Sequence, residues 1–425
     1  MQSTAARDLP VEAKPIAEIR FLVVDDHGAE REAIHAILQE GGARHVYPAA
    51  SGEAALAILA DPAQPVDVVM SALDMAGMDG MELIRHIGHA KHPVSLIIAS
   101  KLDRALIAAV ETMSTAYGVK LLGIIEKPVT AAKIAEALMP PLAAKAARLT
   151  SRPLSLEEMG DKRPVFALDE IMKGLASDQF EPFFQPKVEM KGSRTVGAKA
   201  LARWRHPVMG KVEPYAFIAP LEESGRIDEL TWVMLRKSAA CCSAWRAAGV
   251  DGTVSVRLAL ASLGDPGLAD RVTELVVGQG IDPPHMVLET TGLSNAIRTG
   301  NALENLARLR LRGFGLSVED CGTGPASLAQ LSRIAFTEVK IDQAFAVEAS
   351  SEESSRTMLL SMLATARSLG IQSVAEGVET QPDWDLCAAL GCDIAQGFFV
   401  AAPIDAAAYL EWAVTRSRWA GSTFQ

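Results

Sequence analysis

The chain has 425 residues, with 41 basic and 52 acidic side chains and a formal net charge of -11. At roughly 100 to 200 residues per domain, this length predicts two or three domains. The acidic balance and the lack of a basic cluster argue against sequence-independent binding of nucleic acid. No uncharged apolar stretch approaches the roughly 18 residues of a membrane helix, so we expect no membrane insertion.

The start of the chain lacks the features of a secretory signal. Residues 1–18 have neither a basic start nor an apolar core, which predicts a flexible tail and cytoplasmic residence. The five cysteines form no CxxC pair, and this favours reduced thiols over a disulfide framework or a zinc site.

Residues 19–145 alternate short apolar runs with amphipathic segments. The apolar runs are FLVVD, HVYPA, VDVVMS, VSLIIA and KLLGII. A helix-like segment follows each run, which predicts an α/β domain with a flavodoxin-like, doubly wound parallel sheet. The functional site of such a sheet lies at the carboxyl ends of its strands. Asp25 and Asp26 stand at the end of the first run, Ala72 at the end of the third, and Lys127 at the end of the fifth.

A polar segment with two prolines, residues 146–164, has no apolar periodicity and is predicted to be a linker. Residues 165–425 then contain eight strand-like runs, most of them separated by helix-like segments, over the length of a TIM barrel. The first two runs are joined by EMKGSR, which is too short for a crossover helix. The second domain is therefore predicted to be a TIM-like (β/α)8 barrel whose first strand pair is antiparallel.

The first domain resembles the receiver domain of bacterial response regulators through its VVDD, MDG and EKP motifs. In that family two acidic residues hold Mg²⁺, an Asp at the end of the third strand accepts a phosphoryl group, and a Lys contacts the phosphoryl oxygens. The resemblance assigns the first role to Asp25 and Asp26 and the last to Lys127. The acceptor position is Ala72, whose methyl group cannot be phosphorylated.

Ala72 makes this domain a predicted pseudo-receiver that works without phosphorylation. Asp74 is the one nearby carboxylate in the sequence, and we expect it to point into the loop rather than replace the acceptor. Two interpretations of the Asp25–Asp26 pair remain open. The pair binds Mg²⁺ weakly, or it is an acidic pocket that binds no ion.

The second domain resembles the EAL family, the cyclic di-GMP phosphodiesterase barrel, over nearly its full length. The motifs that carry this resemblance are FFQPKV, ALARWRHP, FIAPLEESG, CGTGPASL, VKID, AEGVE and GCDIAQGFF. Active members hydrolyse one phosphodiester bond with two divalent metals, which acidic and amide side chains hold. The order of the two domains also resembles a class of response-regulator phosphodiesterases that assemble through both domains.

The resemblance gives the catalytic positions of the family residue by residue. It aligns the signature Glu with Lys199, the metal-binding Asn with Arg257, and the first Asp of the DDFGTG loop with Glu319. The catalytic positions that match the family are Glu289, Asp320, Lys340 and Glu376. Three further positions that concern the sixth loop differ from the family: Gly292, Cys321 and Pro325.

Lys199 and Arg257 determine the activity that we predict. An ammonium or guanidinium group offers no lone pair to a metal ion and repels it at close range. We therefore expect no phosphodiesterase activity and no required metal cofactor, with a weakly active enzyme as the alternative. Two interpretations of the barrel mouth stay open. The two cations pair with Glu289, Glu319, Asp320 and Glu376 and close the pocket, or they contact the phosphates of cyclic di-GMP.

Further residues match positions that bind the nucleotide in the family. Gln185 and Arg203 match contacts to a guanine base and a phosphate, and Asp342, Glu379 and Gln396 match as well. The predicted function is that of a non-catalytic signalling protein of the cyclic di-GMP network, which acts through protein partners with or without bound nucleotide. Receivers and EAL barrels both form dimers, so we expect a homo-oligomer.

Overall fold

The computed structural model describes residues 14–100, 104–138, 166–290, 300–319, 331, 334–342 and 353–419. The predicted linker, residues 146–164, and residues 1–13 of the predicted tail lie outside these ranges. The chain forms two compact units, residues 1–150 with 298–307 and the remainder. Within the described ranges, no helix is both long and apolar enough to cross a membrane.

The first unit is built on a parallel sheet. Its strands are β1 (Arg20–Val24), β2 (His45–Ala49), β3 (Val68–Ser71), β4 (Ser95–Ser100) and β5 (Lys120–Glu126). They lie in the order β2-β1-β3-β4-β5, and every neighbouring pair is parallel. The helices that follow these strands are α1 (Gly28–Glu40), α2 (Gly52–Leu59), α3 (Gly80–His89), α4 (Arg104–Ala116) and α5 (Ala131–Leu138). The predicted flavodoxin-like fold is confirmed.

Burial along the strands explains why apolar runs mark this sheet. All residues of β3 and β4 are buried, whereas the edge strand β2 is mostly exposed or half-buried. Helices cover both faces of a parallel sheet, so its central strands carry continuous apolar runs. A side chain at Gly80 would bring its Cβ to 2.4 Å from the Ala72 carbonyl oxygen, so a glycine is needed where α3 begins beside the end of β3.

The second unit contains a second, larger sheet. Its strands are β6 (Phe180–Glu189), β7 (Thr195–His206), β8 (Gly210–Val212), β9 (Thr253–Arg257), β10 (Met286–Thr290), β11 (Gly315–Val318), β12 (Glu338–Ile341), β13 (Gln372–Ala375) and β14 (Ile394–Ala395). The remaining helices with described bounds are α6 (Leu168–Ala176), α7 (Ile218–Glu223), α8 (Ile227–Ala247), α9 (Leu268–Gly278), α10 (Gly300–Leu311), α11 (Glu353–Leu369), α12 (Gln381–Leu390) and α13 (Ala406–Trp419).

This sheet closes on itself through β6. Strand β6 pairs antiparallel with β7 on one side and antiparallel with β14 on the other. The pairings from β7 through β9 to β14 are all parallel, and β8 extends β7 as a short antiparallel hairpin. The prediction of a TIM-like barrel with an antiparallel first pair is therefore confirmed. The carboxyl ends of its parallel strands meet at one mouth, which is where functional residues gather in this architecture.

Candidate functional site

Lys199 lies on β7, and its ammonium group sits among three carboxylates. Its Nζ is 2.6 Å from Glu319 Oε1, 3.0 Å from Glu376 Oε1 and 3.6 Å from Glu289 Oε2. Burial alone would lower the pKa of Lys199, but the three carboxylates outweigh burial and raise this pKa well above its ordinary value. Lys199 is therefore a charged ammonium group at the barrel mouth.

Lys340 on β12 is fully buried and supplies a second ammonium group to the same carboxylates. It forms an ion pair with Glu289, and its Nζ lies 3.0 Å from Glu376 Oε1. Burial opposes ionisation of Glu289, but Lys340, Lys199 and Lys187 hold the pKa of that carboxyl well below its usual range. Against the same opposition from burial, Lys340 and Lys199 also lower the pKa of Glu376. We call this group the charged cluster; its members are Lys199, Lys340, Glu289, Glu319 and Glu376.

Neighbouring strands position the carboxylates of the charged cluster. Glu289 lies on β10, Glu319 directly follows β11, and Glu376 directly follows β13. Parallel strands end at the same edge of a sheet, so these three side chains converge although the first and the last are 87 positions apart in the chain.

Arg257 is the last residue of β9, and its side chain is 53% exposed. Its guanidinium nitrogens lie 3.7 Å from Glu222 Oε1 and 3.9 Å from Glu319 Oε2. A cavity of about 370 Å³ lies beside the charged cluster, with Arg257, Lys199 and Glu222 in its lining. Most of the lining is apolar and comes from β7, α7, α8 and the segment after β9, for example Leu201, Ile218, Leu230, Met234 and Leu258.

Two predicted nucleotide-binding glutamines hydrogen-bond to each other. The Gln396 amide donates to Gln185 Oε1 at 2.9 Å, and the Gln185 amide donates to the Ala401 carbonyl at 3.3 Å. Arg203 is nearly buried, and its guanidinium lies 3.0 Å from Glu213 Oε2. These three candidates thus have fixed positions, which favours pre-organised binding.

The remaining predicted binding residues lie in the segments after β12 and β13. Asp342 is half-buried and Glu379 is exposed. A Cβ at Gly397 would lie 2.2 Å from the Val378 carbonyl oxygen, so this glycine lets the segment after β14 approach the segment after β13. The predicted positions Asp320, Gly292, Cys321 and Pro325 lie outside the described residues.

The charged cluster, in this arrangement, does not fit a pair of divalent ions. The Lys199 ammonium group lies within 3.6 Å of all three carboxylates. Such a group has no lone pair and repels a metal ion at close range. Lys199, Lys340 and the more distant Arg257 already offer positive charge to these carboxylates, although burial raises the pKa of Glu319 above its ordinary value.

The receiver pocket of the first unit keeps its acidic pair. Asp25 is buried, and its Oδ2 lies 2.8 Å from Lys127 Nζ, which also pairs with Glu30. Burial would lower the pKa of Lys127, but hydrogen bonds to Asp25 and Glu30 raise it. Asp26 accepts hydrogen bonds from the Ala76 amide at 2.9 Å and, with the ring nitrogen as donor, from His27 Nδ1 at 2.8 Å.

The end of β3 lacks a carboxylate at the acceptor position. Ala72 directly follows β3 and is buried, whereas Asp74 is exposed. Asp25, Asp26 and His27 offer potential ligand atoms that all lie within 4.8 Å of one another. Oxygen ligands of this kind suit Mg²⁺, so the receiver pocket fits an ion but not a phosphoryl group on residue 72.

The barrel contains a second buried polar group that was not predicted from the sequence. Lys187 on β6 forms an ion pair with Glu338 on β12, with 2.7 Å between Nζ and Oε2. The sequence signal for this ion pair is a polar residue two positions before a site residue. Glu338 stands two positions before Lys340. Alternate residues of a strand point to the same face, so such spacing marks a second layer of polar side chains.

Comparison with known families gives a match for each unit. The sequence model described as EAL domain matches residues 168–403, and the model described as response regulator receiver domain matches residues 21–139. The chain is 29% identical over 395 residues to the cyclic di-GMP phosphodiesterase RocR of Pseudomonas aeruginosa. The aligned residues are 93% of this chain and 98% of RocR.

A second relative is similar over the barrel alone. The bifunctional diguanylate cyclase/cyclic di-GMP phosphodiesterase MucR of Pseudomonas aeruginosa is 32% identical over 241 residues, which are 56% of this chain and 35% of MucR. The solved structure of the MucR phosphodiesterase in complex with cyclic di-GMP matches with a TM-score of 0.53 and 32% identity, over 57% of this chain and 98% of that chain. An EAL domain of FimX from Xanthomonas citri, solved with cyclic di-GMP, shares the fold with a TM-score of 0.52 at 22% identity.

These comparisons correct one prediction. The sequence alone predicts a protein without enzymatic activity, because the family resemblance aligns Lys199 and Arg257 with metal ligands. Relatives that match along most of the chain or along the barrel are named cyclic di-GMP phosphodiesterases, which indicates an enzyme. The expectation of no enzyme was wrong because it judged the class of protein from two positions, whereas the class follows from the whole barrel.

Proposed function

We propose, because the chain belongs to the EAL domain family, that its barrel binds cyclic di-GMP at the mouth and hydrolyses it slowly. The observation that carries this proposal is the position of the Lys199 ammonium group, 2.6 to 3.6 Å from three carboxylates. It provides a positive charge at the mouth without a bound ion. It also holds the carboxylates that a divalent ion would need.

The surroundings of Lys199 support nucleotide binding. The apolar cavity of about 370 Å³ suits a flat base, and Arg257 in its lining suits a phosphate, which a guanidinium contacts with two hydrogen bonds. The hydrogen-bonded pair Gln185 and Gln396 presents amide groups of the kind that bind base edges. The solved complex of MucR with cyclic di-GMP supports the choice of ligand. We expect no metal to be required for binding.

Slow hydrolysis follows from the ion pairs of Lys199. A divalent ion can reach Glu289, Glu319 and Glu376 only after the ammonium group has left them, and separating a buried ion pair costs about 3–5 kcal/mol. The names of the relatives support hydrolysis of a phosphodiester bond as the type of reaction. The geometry of Lys199 supports a low rate for this chain.

We also propose that the receiver works without phosphorylation. Ala72 at the acceptor position supports this, while Asp25 and Asp26 keep the oxygens for a weakly bound Mg²⁺. We propose that the receiver transmits its signal through protein contacts within a cytoplasmic homo-oligomer. The match to RocR along both units supports a shared organisation.

Titration of the full chain with cyclic di-GMP by calorimetry tests the binding step. We expect a micromolar dissociation constant that differs by less than about threefold, or about 0.7 kcal/mol, between buffer with Mg²⁺ and buffer with a chelator. The absence of binding in both buffers would refute the proposal. Binding that depends on Mg²⁺ would contradict the role of Lys199 as the resident cation.

A turnover assay with Mn²⁺ tests the hydrolysis step. We expect slow formation of the linear dinucleotide by the unmodified protein and at least about tenfold faster formation by Lys199→Glu, which is about 1.4 kcal/mol in the barrier. The matched control is Lys191→Glu, the same change of charge at an exposed turn, for which the rate stays at the original value. Equal rates for the two variants would contradict competition between Lys199 and metal ions.

A further inference from the structure

A layer of polar side chains crosses the barrel interior beneath the charged cluster. Lys187 Nζ donates to Ser255 Oγ at 2.8 Å and to Glu338 Oε2 at 2.7 Å. Ser317 Oγ donates to Glu338 Oε1 at 2.9 Å. We call these four residues the polar layer; they join β6, β9, β11 and β12.

The four residues of the polar layer are buried in the barrel. Lys187 is 1% exposed and Glu338 is 3% exposed, and neither residue belongs to the charged cluster. A buried ion pair is a weak source of stability, because desolvation of the two charges offsets their attraction. Apolar residues of similar volume would serve a barrel core as well. The layer therefore indicates a role other than stability.

Each member of the polar layer lies two residues below a residue of the barrel mouth. Ser255 precedes Arg257, Ser317 precedes Glu319, and Glu338 precedes Lys340. Strand β6 runs in the opposite direction, so the residue two positions from Lys187 toward the mouth is Gln185. Residues at i and i+2 of a strand share a face, so the polar layer lies under these mouth residues.

We propose that the polar layer is a positioning layer, in which Lys187 and Glu338 fix the heights of four strands so that the mouth residues keep their mutual distances. The ion pair spans the barrel from the antiparallel strand β6 to β12, which no backbone pairing joins. It therefore couples Gln185 to Lys340 through the interior. The inference rests on the proposed function for its binding readout, and it names positioning residues of the same site.

The electrostatic environment of the mouth agrees with this role. The Lys187 ammonium group contributes to holding the pKa of Glu289 well below its usual range, although it makes no direct bond to that carboxylate. Removal of Lys187 would thus change the electrostatic environment of the mouth residues, although Lys187 lies beneath them and does not contact a ligand.

The double variant Lys187→Met with Glu338→Leu tests the proposal. Each single change would leave one buried charge unpaired and risk unfolding, whereas the double change removes both charges and leaves the net charge of the chain unchanged. We expect the full chain to melt within a few degrees of the original and to bind cyclic di-GMP at least about tenfold more weakly. Lys187→Arg keeps donors for Ser255 and Glu338, so we expect it to retain most of the affinity.

The matched control removes an ion pair from the surface of the same strand. Arg194 and Glu189 pair at 2.6 Å on the β6–β7 hairpin, where the Arg194 side chain is 68% exposed. We expect Arg194→Met with Glu189→Leu to bind cyclic di-GMP as the unmodified protein does. A folded Lys187→Met/Glu338→Leu protein that binds as tightly as this control would overturn the proposal.

A measurement without nucleotide separates this inference from the proposed function. Nitrogen-15 spectra of the lysine ammonium groups report on Lys199 and Lys340 directly in the full chain. We expect both signals to shift in the double variant and to stay in place in the surface control. Unchanged signals would overturn the positioning role whether or not the protein binds cyclic di-GMP. Shifted signals in a protein that binds no nucleotide would refute the proposed function alone.

Discussion

The receiver pocket and the barrel mouth both bring lysine and carboxylate groups together at the carboxyl ends of parallel strands, and at each site the family resemblance aligns a carboxylate of the family with a different residue of this chain. In the receiver pocket the residue at this position is Ala72, which adds no charge. In the barrel mouth it is Lys199, whose ammonium group lies 2.6 to 3.6 Å from three carboxylates. By the resemblance, the families have a carboxylate at both positions, but the consequences of Ala72 and Lys199 for the remaining charges differ.

The two sites differ in how far their own lysine side chains neutralise the carboxylates. In the receiver pocket Lys127 neutralises part of the negative charge of Asp25, Asp26 and Glu30, and the pocket stays acidic. In the barrel mouth the Lys199 ammonium group itself pairs with the carboxylates. We therefore expect the neutral Ala72 to prevent a reaction on that residue and to leave the affinity of the receiver pocket for a cation unchanged. We expect the charged Lys199 to lower the affinity of the barrel mouth for a cation as well.

Restoring the acceptor of the receiver tests the first half of this comparison and has the largest expected effect. With acetyl phosphate and Mg²⁺, we expect the unmodified chain to gain no phosphoryl group and Ala72→Asp to gain one, because the register of β1 and β3 places the new carboxylate beside Asp25. Mass spectrometry of the intact protein measures the gain. Ala76→Asp, which adds the same group at an exposed position, serves as the control and should gain none. An acid-labile adduct on Asp74 of the unmodified chain would contradict the prediction.

Removal of the Lys199 charge tests the second half. We expect Lys199→Met to lose about 3–5 kcal/mol of barrel stability without divalent ions, because three carboxylates lose a partner. Thermal unfolding of the full chain measures the loss, and we expect Mn²⁺ to restore a large part of it by taking the vacated place. Lys191→Met, at an exposed turn, should leave the melting temperature nearly unchanged. A stable Lys199→Met protein that ignores Mn²⁺ would show that the ammonium group is not a substitute for an ion.

The sequence alone predicted the strands and one of their pairings. The runs VDVVMS and VSLIIA predicted the buried strands β3 and β4, because the apolar pattern of a strand reports its burial directly. The pattern also predicted an antiparallel first pair in the barrel, because the connection EMKGSR is too short for a helix. Both features depend on neighbours along the chain.

The pairing of side chains from distant strands could not be predicted in the same way. The sequence left open whether Lys199 meets carboxylates or phosphates, because that choice depends on distances between β7, β11 and β13. The ion pair of Lys187 with Glu338 joins residues 151 positions apart, and no local pattern specifies the partner. The resemblance to a family aligned the positions, but it did not give the contacts that replaced residues make.

Asp67 in the first unit is a buried carboxylate that forms ion pairs with cations, as Glu289 does in the barrel. Burial would raise its pKa, but hydrogen bonds from Arg20 and Lys14 lower this pKa to about 2, from 3.8. Its folded pKa is below its unfolded pKa, so the stabilisation is present above about pH 4 and is lost as the pH falls toward 2.

Replacement of Asp67 should therefore cost stability that depends on pH. We expect Asp67→Asn to lose on the order of 2 kcal/mol at pH 7 and progressively less below pH 4, because the Asp67 carboxylate of the unfolded chain is protonated there while the folded one keeps its charge down to about pH 2. Denaturant unfolding of the first unit within the full chain, followed from pH 7 to 3, measures this difference. Glu40→Gln makes the same chemical change at an exposed position and should cost little at any pH. A loss that does not vary with pH would contradict the assignment to the charge of Asp67.

Arg257 gives the smallest effect and separates the two interpretations of the barrel mouth. Its side chain is half exposed, and its guanidinium lies 3.7 and 3.9 Å from the nearest oxygens of Glu222 and Glu319. If Arg257 contacts a phosphate of cyclic di-GMP, Arg257→Ala should weaken binding by about fivefold, or about 1 kcal/mol, and this loss should shrink as salt is added. If its role is to pair with the carboxylates, the affinity should stay constant or rise. Arg205→Ala, which removes a guanidinium with a side chain 65% exposed on the same barrel, corrects for the general effect of charge on the association of an anion. Equal losses for Arg257→Ala and Arg205→Ala would assign the whole effect to the net charge of the barrel, and Lys199 would then remain the cation of the mouth on which nucleotide binding depends.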